Sequence, residues 1–357
     1  MRYPAHGANP STLYRELELE MPEQIIDLSE NVNFLGPPAS FGAIWTSLFQ
    51  EIAAYPHEDA EPLRSQLAYR YNVATEHIVI GNGAAEILMA LARCYAREKI
   101  VIVQPSFSEY ARTLEQQQAI IQSIEVEELT NYSLPMERLK EAMCGAKALY
   151  ICNPNNPTGV VTPKKQLIEL LQYGERVDCD LVIDEAFMDW TDETESMAEL
   201  VASSNRLIIL RSMTKMYSMA GVRLGYALTQ HAFKIKQELP HWNVSAISIA
   251  LGMQALQEED FCAKSRQQAA QSRAVIIPFL MEKGCIVTKS KTNYVAFRLP
   301  STYDATKFYF SLLQKGIVLR HTQNFIGMDG EWFRLALKEQ HKMTAFQQAL
   351  EHFFRCK

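Results

Sequence analysis

Five short apolar runs, at residues 78–80, 100–103, 148–152, 181–183 and 207–210, constrain this chain more than any other feature of it. They are rich in β-branched and aliphatic side chains with no polar alternation, so each reads as a strand covered on both faces. Between them lie stretches with helical spacing, notably 84–97 and 164–174. Strand, helix and strand in succession predict a mainly parallel sheet with right-handed crossovers and helices on both sides, a three-layer α/β domain. Ligands of such sheets bind beyond the carboxyl ends of the strands.

Past about residue 240 the pattern changes. Helical stretches at 245–257 and 259–283 precede strand candidates at 285–288, 294–299, 317–320 and 332–337, with helices at 305–315 and up to about 354. That order suits a smaller α+β domain. The expected division is an N-terminal arm rich in Pro, Asn and Gly (1–40) packing on the small domain, a large domain (41–240), and a connecting helix with the small domain (241–357). A chain of 357 residues, 48% of them hydrophobic, can bury cores of that size.

Composition removes several functions. A net charge of -6 with no basic cluster disfavours nucleic acid and anionic membrane as partners. No run is apolar over the length of a membrane span, and the N-terminus lacks the apolar core of a signal peptide. Seven cysteines without a CxxC pair suit neither a disulfide framework nor a zinc cluster, so no metal is expected and a reducing cytoplasm is.

Four motifs carry chemistry, each at the end of an expected strand. Ile80-Gly81-Asn82-Gly83-Ala84-Ala85-Glu86 is a strand-to-helix turn whose backbone N–H groups can take a phosphate. It lacks the third glycine of a dinucleotide fingerprint, which counts against a nicotinamide-dependent oxidoreductase. Cys152-Asn153-Pro154-Asn155-Asn156-Pro157-Thr158-Gly159 is a rigid turn with exposed amides, of which Asn156 is the candidate donor to a ligand oxygen. Asp184, in Val182-Ile183-Asp184-Glu185-Ala186-Phe187, ends a buried strand, where a carboxylate needs a cation such as a protonated pyridine nitrogen. Glu185 is expected to point the other way.

The fourth motif is Ser212-Met213-Thr214-Lys215, with Arg223 eight residues on. This spacing suits a covalent aldehyde cofactor carrying a phosphate, the lysine forming an imine while Ser212 and Arg223 hold the phosphate. A depressed amine pKa is required, and Arg223 with partial burial would favour it. Further candidates are Phe107 for stacking on a ring and Tyr55 for a phosphate. Arg334, alone in an apolar strand, suits a bidentate substrate carboxylate, with Arg320 and Asn31 as additional substrate contacts.

In this order the four motifs resemble those of the fold-type I pyridoxal phosphate enzymes, specifically the class I/II aminotransferase family, over essentially the whole chain. The resemblance implies pyridoxal 5'-phosphate as cofactor and Lys215 and Asp184 as catalytic residues, the first as Schiff-base lysine and the second on the pyridine nitrogen. It places Asn156 on the ring oxygen, and Ser212, Arg223 and the Ala84 and Ala85 backbone on the phosphate. Phe107 lies over the ring and Phe187 beside the cofactor, while Arg334, Arg320, Asn31 and His6 face the substrate. It further implies a homodimer acting on a small amino acid or amino-phosphate, with Tyr55 supplied by the partner chain.

Two branches of the family are similar. His6-Gly7-Ala8-Asn9, Asp184-Glu185-Ala186-Phe187, Thr214-Lys215-Met216-Tyr217 and Trp242-Asn243-Val244-Ser245 resemble the threonine-phosphate decarboxylases. The Asn-rich arm, Tyr55-Pro56 and the Gly-Asn-Gly turn are shared with the histidinol-phosphate aminotransferases. Ala8 departs from the decarboxylase pattern, and Glu30 would repel a phosphorylated substrate if it faced inward. Decarboxylation is the expectation, with transfer of the amino group to 2-oxoglutarate as the alternative. A non-catalytic sensor role would call for a DNA-binding helix-turn-helix and a basic patch that this sequence lacks.

Overall fold

The computed structural model describes residues 3, 4, 7 and 9–355. Among the described residues twelve strands form two sheets. In chain order they are β1 (Ile26–Leu28), β2 (Ile78–Gly81), β3 (Lys99–Gln104), β4 (Ile120–Glu125), β5 (Ala148–Cys152), β6 (Asp180–Asp184), β7 (Leu207–Ser212), β8 (Gly225–Leu228), β9 (Ile286–Val287), β10 (Tyr294–Arg298), β11 (Ile317–His321) and β12 (Trp332–Ala336). The larger sheet has seven strands in the order β2-β8-β7-β6-β5-β3-β4. Its pairings are parallel except those of β8, which runs against both β2 and β7.

Three layers follow from side-chain alternation. Val101, Leu149, Ile183 and Ile209 enter one core cluster. Their neighbours Ile102, Tyr150, Val182 and Ile208 enter another on the opposite face. The second face is covered by the helices Ala84–Cys94 and Glu109–Gln116, the first by Met136–Met143 and Lys164–Val177. Continuous apolar runs therefore became doubly covered strands, as the sequence predicts.

The smaller sheet has the order β1-β11-β12-β10-β9 and is antiparallel except for β1 beside β11. The helices Ala305–Leu313 and Gln340–Arg355 supply Phe308 and Phe346, which join Phe297 and Phe333 in a fully buried aromatic core. Near the N-terminus the helix Pro10–Glu16 buries Leu13 and Tyr14, and the Tyr14 hydroxyl donates to Leu313 O at 2.6 Å. The N-terminal segment is thus held at two points, this helix on Leu313 at the end of the helix Ala305–Leu313 and β1 on β11 of the small sheet. Among the described residues no helix is long and apolar enough to cross a membrane, and no His, Cys, Asp and Glu cluster suits a metal ion.

Candidate active site

The carboxyl ends of β2, β3, β5, β6 and β7 open on one side of the large sheet, and the small sheet faces them. A cavity of about 270 Å³ lies between the two. Its walls carry Ala84, Ala85, Phe107, Asn156, Asp184, Phe187, Ser212, Lys215 and Arg223 from the large sheet, with Asn31, Arg320 and Arg334 from the other side. Sequence candidates more than 300 residues apart are therefore brought together. Tyr55 is not among the lining residues; it is 83% exposed, its ring 5.1 Å from that of Trp242. His6 lies outside the described residues, although Gly7 reaches the cavity.

Asp184 ends β6, and burial raises its pKa against the opposing effects of its hydrogen bonds and of Lys215. Its Oδ1 accepts from Ala186 N at 2.9 Å and its Oδ2 from the Tyr110 hydroxyl. Tyr110 is fully buried, its ring edge-on to Phe107. It was not among the sequence candidates, yet it stands three residues after Phe107, at the start of the helix Glu109–Gln116. That i, i+3 spacing was the available signal. Glu185 points away, as expected, into a buried ion pair with Arg211 Nε at 2.9 Å. This pair clamps the ends of β6 and β7, so that Asp184 and Ser212 face the cavity.

Lys215 follows β7 on a loop fixed by the N-terminal segment: Asn33 N donates to Lys215 O at 3.0 Å and Asn33 Nδ2 to Met216 O at 2.8 Å. Burial lowers the Lys215 pKa to about 8, with Arg334 and then Arg223 adding to it and Glu30 and Asp184 opposing. Arg334, and not only Arg223, is thus the cation that matters most.

Arg334 is 7% exposed on β12. Its Nη1 donates to Asn156 Oδ1 at 2.6 Å and its Nη2 to Ser29 O at 2.7 Å, while its Nε is buried with no acceptor. No carboxylate pairs with it among the described residues, and burial lowers its pKa to about 10. Because a guanidinium can only donate, its bond to Asn156 fixes the amide orientation and leaves Nδ2 as the donor toward the cavity. Arg320 stands directly opposite Arg334 in the β11–β12 register. Its Nη2 donates to Asn324 Oδ1 at 2.6 Å, and its guanidinium lies 5.1 Å over the Phe325 ring, a further cavity residue absent from the sequence candidates.

The phosphate end can be tested on the backbone itself. Gly83 has φ +80, and a Cβ there would stand 2.5 Å from Arg223 Nη2. A Cβ on Gly225 would stand 2.4 Å from Ala84 N. Both glycines keep open a cup formed by the first amides of the helix Ala84–Cys94, which have no partner within the helix. Arg223 has no ion-pair partner among the described residues, and Ser212 Oγ lies 2.8 Å from Thr214 Oγ1 at the same end. Donors on a helix start, a hydroxyl pair and a guanidinium fit a phosphate monoester. A buried carboxylate one strand away fits a protonated ring nitrogen. The residues present therefore fit pyridoxal phosphate.

A parallel-sheet enzyme with a lysine, an aspartate and a phosphate cup at its strand ends defines the class. Residues 23–353 match the family described as aminotransferase class I and II. The threonine-phosphate decarboxylase of Salmonella typhimurium is 27% identical over 98% of this chain and 96% of its own. The histidinol-phosphate aminotransferase of Methanosphaera stadtmanae is 28% identical over 92% of this chain and 90% of its own. The crystal structure of the histidinol-phosphate aminotransferase from Clostridium acetobutylicum superposes with a TM-score of 0.88 at 29% identity, covering 93% of this chain and all of that one. The chain belongs to the class I and II aminotransferase family. It is a pyridoxal 5'-phosphate-dependent enzyme, with relatives among both decarboxylases and transaminases.

Proposed function

We propose that the enzyme removes carbon dioxide from a compact phosphorylated amino acid, as a threonine-phosphate decarboxylase does. The observation that carries this reading is the Arg320–Arg334 pair, in register on adjacent strands and facing one cavity. Two guanidiniums offer more positive charge than a single carboxylate neutralises, and a phosphate dianion matches them.

When bound, pyridoxal phosphate supplies an electron sink for the pair released as a bond at the substrate's α-carbon breaks. Ala84 N, Ala85 N, Ser212 and Arg223 would hold its phosphate, Asp184 the proton of its ring nitrogen, and Asn156 Nδ2 its ring oxygen. Phe107 would cover the ring and Phe187 flank it. Tyr110 keeps the Asp184 carboxylate oriented through its hydroxyl. Lys215 Nζ would anchor the cofactor and, once free, hold or deliver a proton at the α-carbon; a pKa of about 8 suits it to both near neutrality. Arg320 and Arg334 would bind the substrate's phosphate. These contacts, remote from the reacting carbon, would set which of its bonds is broken, that to the carboxylate or that to hydrogen.

We further infer a homodimer in which Tyr55 reaches the phosphate of the opposite subunit, and free thiols such as Cys152 and Cys179 support a cytoplasmic setting. The test of the reaction is incubation with O-phospho-L-threonine, with and without 2-oxoglutarate. Carbon dioxide and the corresponding phosphorylated amine form in equal amounts without the oxo acid. An oxo product that forms only with 2-oxoglutarate, and no gas, would overturn decarboxylation in favour of a histidinol-phosphate-type transaminase.

A further inference from the structure

The turn after β1 holds two acceptors that the site described so far does not use. Its backbone is tied down at three points: Ser29 O by Arg334, Asn31 O by Asn293 Nδ2 at 2.8 Å, and Asn33 N by Lys215 O. Within this fixed turn Asn31 is 4% exposed, and its Oδ1 has no donor. The neighbouring carboxylate of Glu30 is half-buried and makes no hydrogen bond or ion pair among the described residues. Both residues line the cavity. The cations whose fields Glu30 enters are Lys215 and Lys338, and Lys338 Nζ donates instead to Val32 O at 3.5 Å.

Unmet acceptors in a partly desolvated wall are unfavourable unless a ligand brings donors. Arg334 stands beside the same turn, its Nη2 on Ser29 O, and its Nε is a buried donor without an acceptor. The cavity thus holds an unpaired carboxylate on the turn and guanidinium donors on β11 and β12, groups that together suit a zwitterion. We propose that Glu30 and Asn31 form the subsite that receives the ammonium group of the incoming substrate. This rests on the reading above that the substrate is an amino acid whose anionic end lies on the arginines. Glu30 then does not oppose a phosphorylated substrate; it directs the phosphate to Arg320 and Arg334 and draws the amine toward Lys215.

The test uses holoenzyme inactivated with borohydride, which binds ligands without turnover, and titration calorimetry. O-phospho-L-threonine is compared with its deaminated counterpart, 3-phosphooxybutanoate, in the wild type and in Glu30→Gln, which keeps the side-chain shape. The variant weakens the amine-bearing ligand by about tenfold or more, the size expected for one charge-assisted hydrogen bond, and leaves the deaminated ligand unchanged. An equal effect on both ligands, no effect on either, or tighter binding of the phosphate ester without its amine would overturn the subsite. L-aspartate and succinate form a second pair without phosphate. Amine-selective weakening in that pair, with neither phosphate ester bound, supports the ammonium subsite and removes the phosphorylated substrate.

Discussion

At the scale of single residues, Lys215 shows how a site makes an ordinary amine useful. Its pKa of about 8 is set first by burial and then by Arg334, a residue 119 positions further along the chain. Only the neutral amine can capture an aldehyde, so uptake of pyridoxal phosphate by apoenzyme should accelerate with pH and level off above about 8. An unperturbed lysine would continue to gain for about two further pH units. Arg334→Gln removes a cation that lowers this pKa, so the plateau should move to higher pH. Stopped-flow absorbance of cofactor uptake across pH gives both curves. A plateau that stays in place in the variant would refute the role assigned to Arg334. The residue identities at this site were largely legible because each motif couples a reactive side chain to a strand end. The source of the pKa shift was only half legible: Arg223 is near in sequence, whereas Arg334 is near only once the small sheet packs on the large one.

At the scale of elements, legibility followed burial. β5 was expected at 148–152 and lies there, because all five residues are buried and apolar. β4, Ile-Ile-Gln-Ser-Ile-Glu, is an edge strand with a single buried residue, and its mixed composition hid it. β8, Gly-Tyr-Ala-Leu, escaped because it directly follows the Lys215 loop, where the motif drew attention and a glycine start suggests a turn. Yet β8 shapes the phosphate cup. Gly225 pairs with both Gly81 and Ser212, and its missing side chain admits Ala84 N. Gly225→Ala should therefore displace the start of the helix Ala84–Cys94, costing about 1–3 kcal/mol of stability through overpacking and weakening cofactor binding at least tenfold. Gly221→Ala is the control, since a Cβ there meets nothing within 4 Å. Equilibrium dialysis against pyridoxal phosphate and thermal unfolding read the two effects. Equal cofactor affinity in both variants would show that the close approach of β8 does not shape the cup.

At the scale of the whole molecule, the surface asks for a second copy. Trp45, Phe49, Ile52 and Tyr55 are 61%, 72%, 63% and 83% exposed within eleven consecutive residues, and Trp242 beside Tyr55 is 50% exposed. An apolar concentration of this kind marks an interface on a folded surface, and a two-fold dimer would cover the same patch on both subunits. Tyr55 lies outside the cavity of its own chain, so any part it takes in phosphate binding must be played across that interface. Subunit mixing can decide this. Lys215→Ala lacks the reactive amine and Tyr55→Ala the proposed donor, so in the proposed homodimer each variant alone would have two defective sites. If Tyr55 acts within its own chain, a mixed dimer has one site without lysine and one without tyrosine, and activity does not rise. If Tyr55 acts across the interface, both defects fall in one site of the mixed dimer and the other site is intact. Equal mixing with subunit exchange should then restore about a quarter of wild-type activity. Sedimentation that shows only monomers at working concentration would remove the shared site altogether, and recovery well above the inactive parents establishes it.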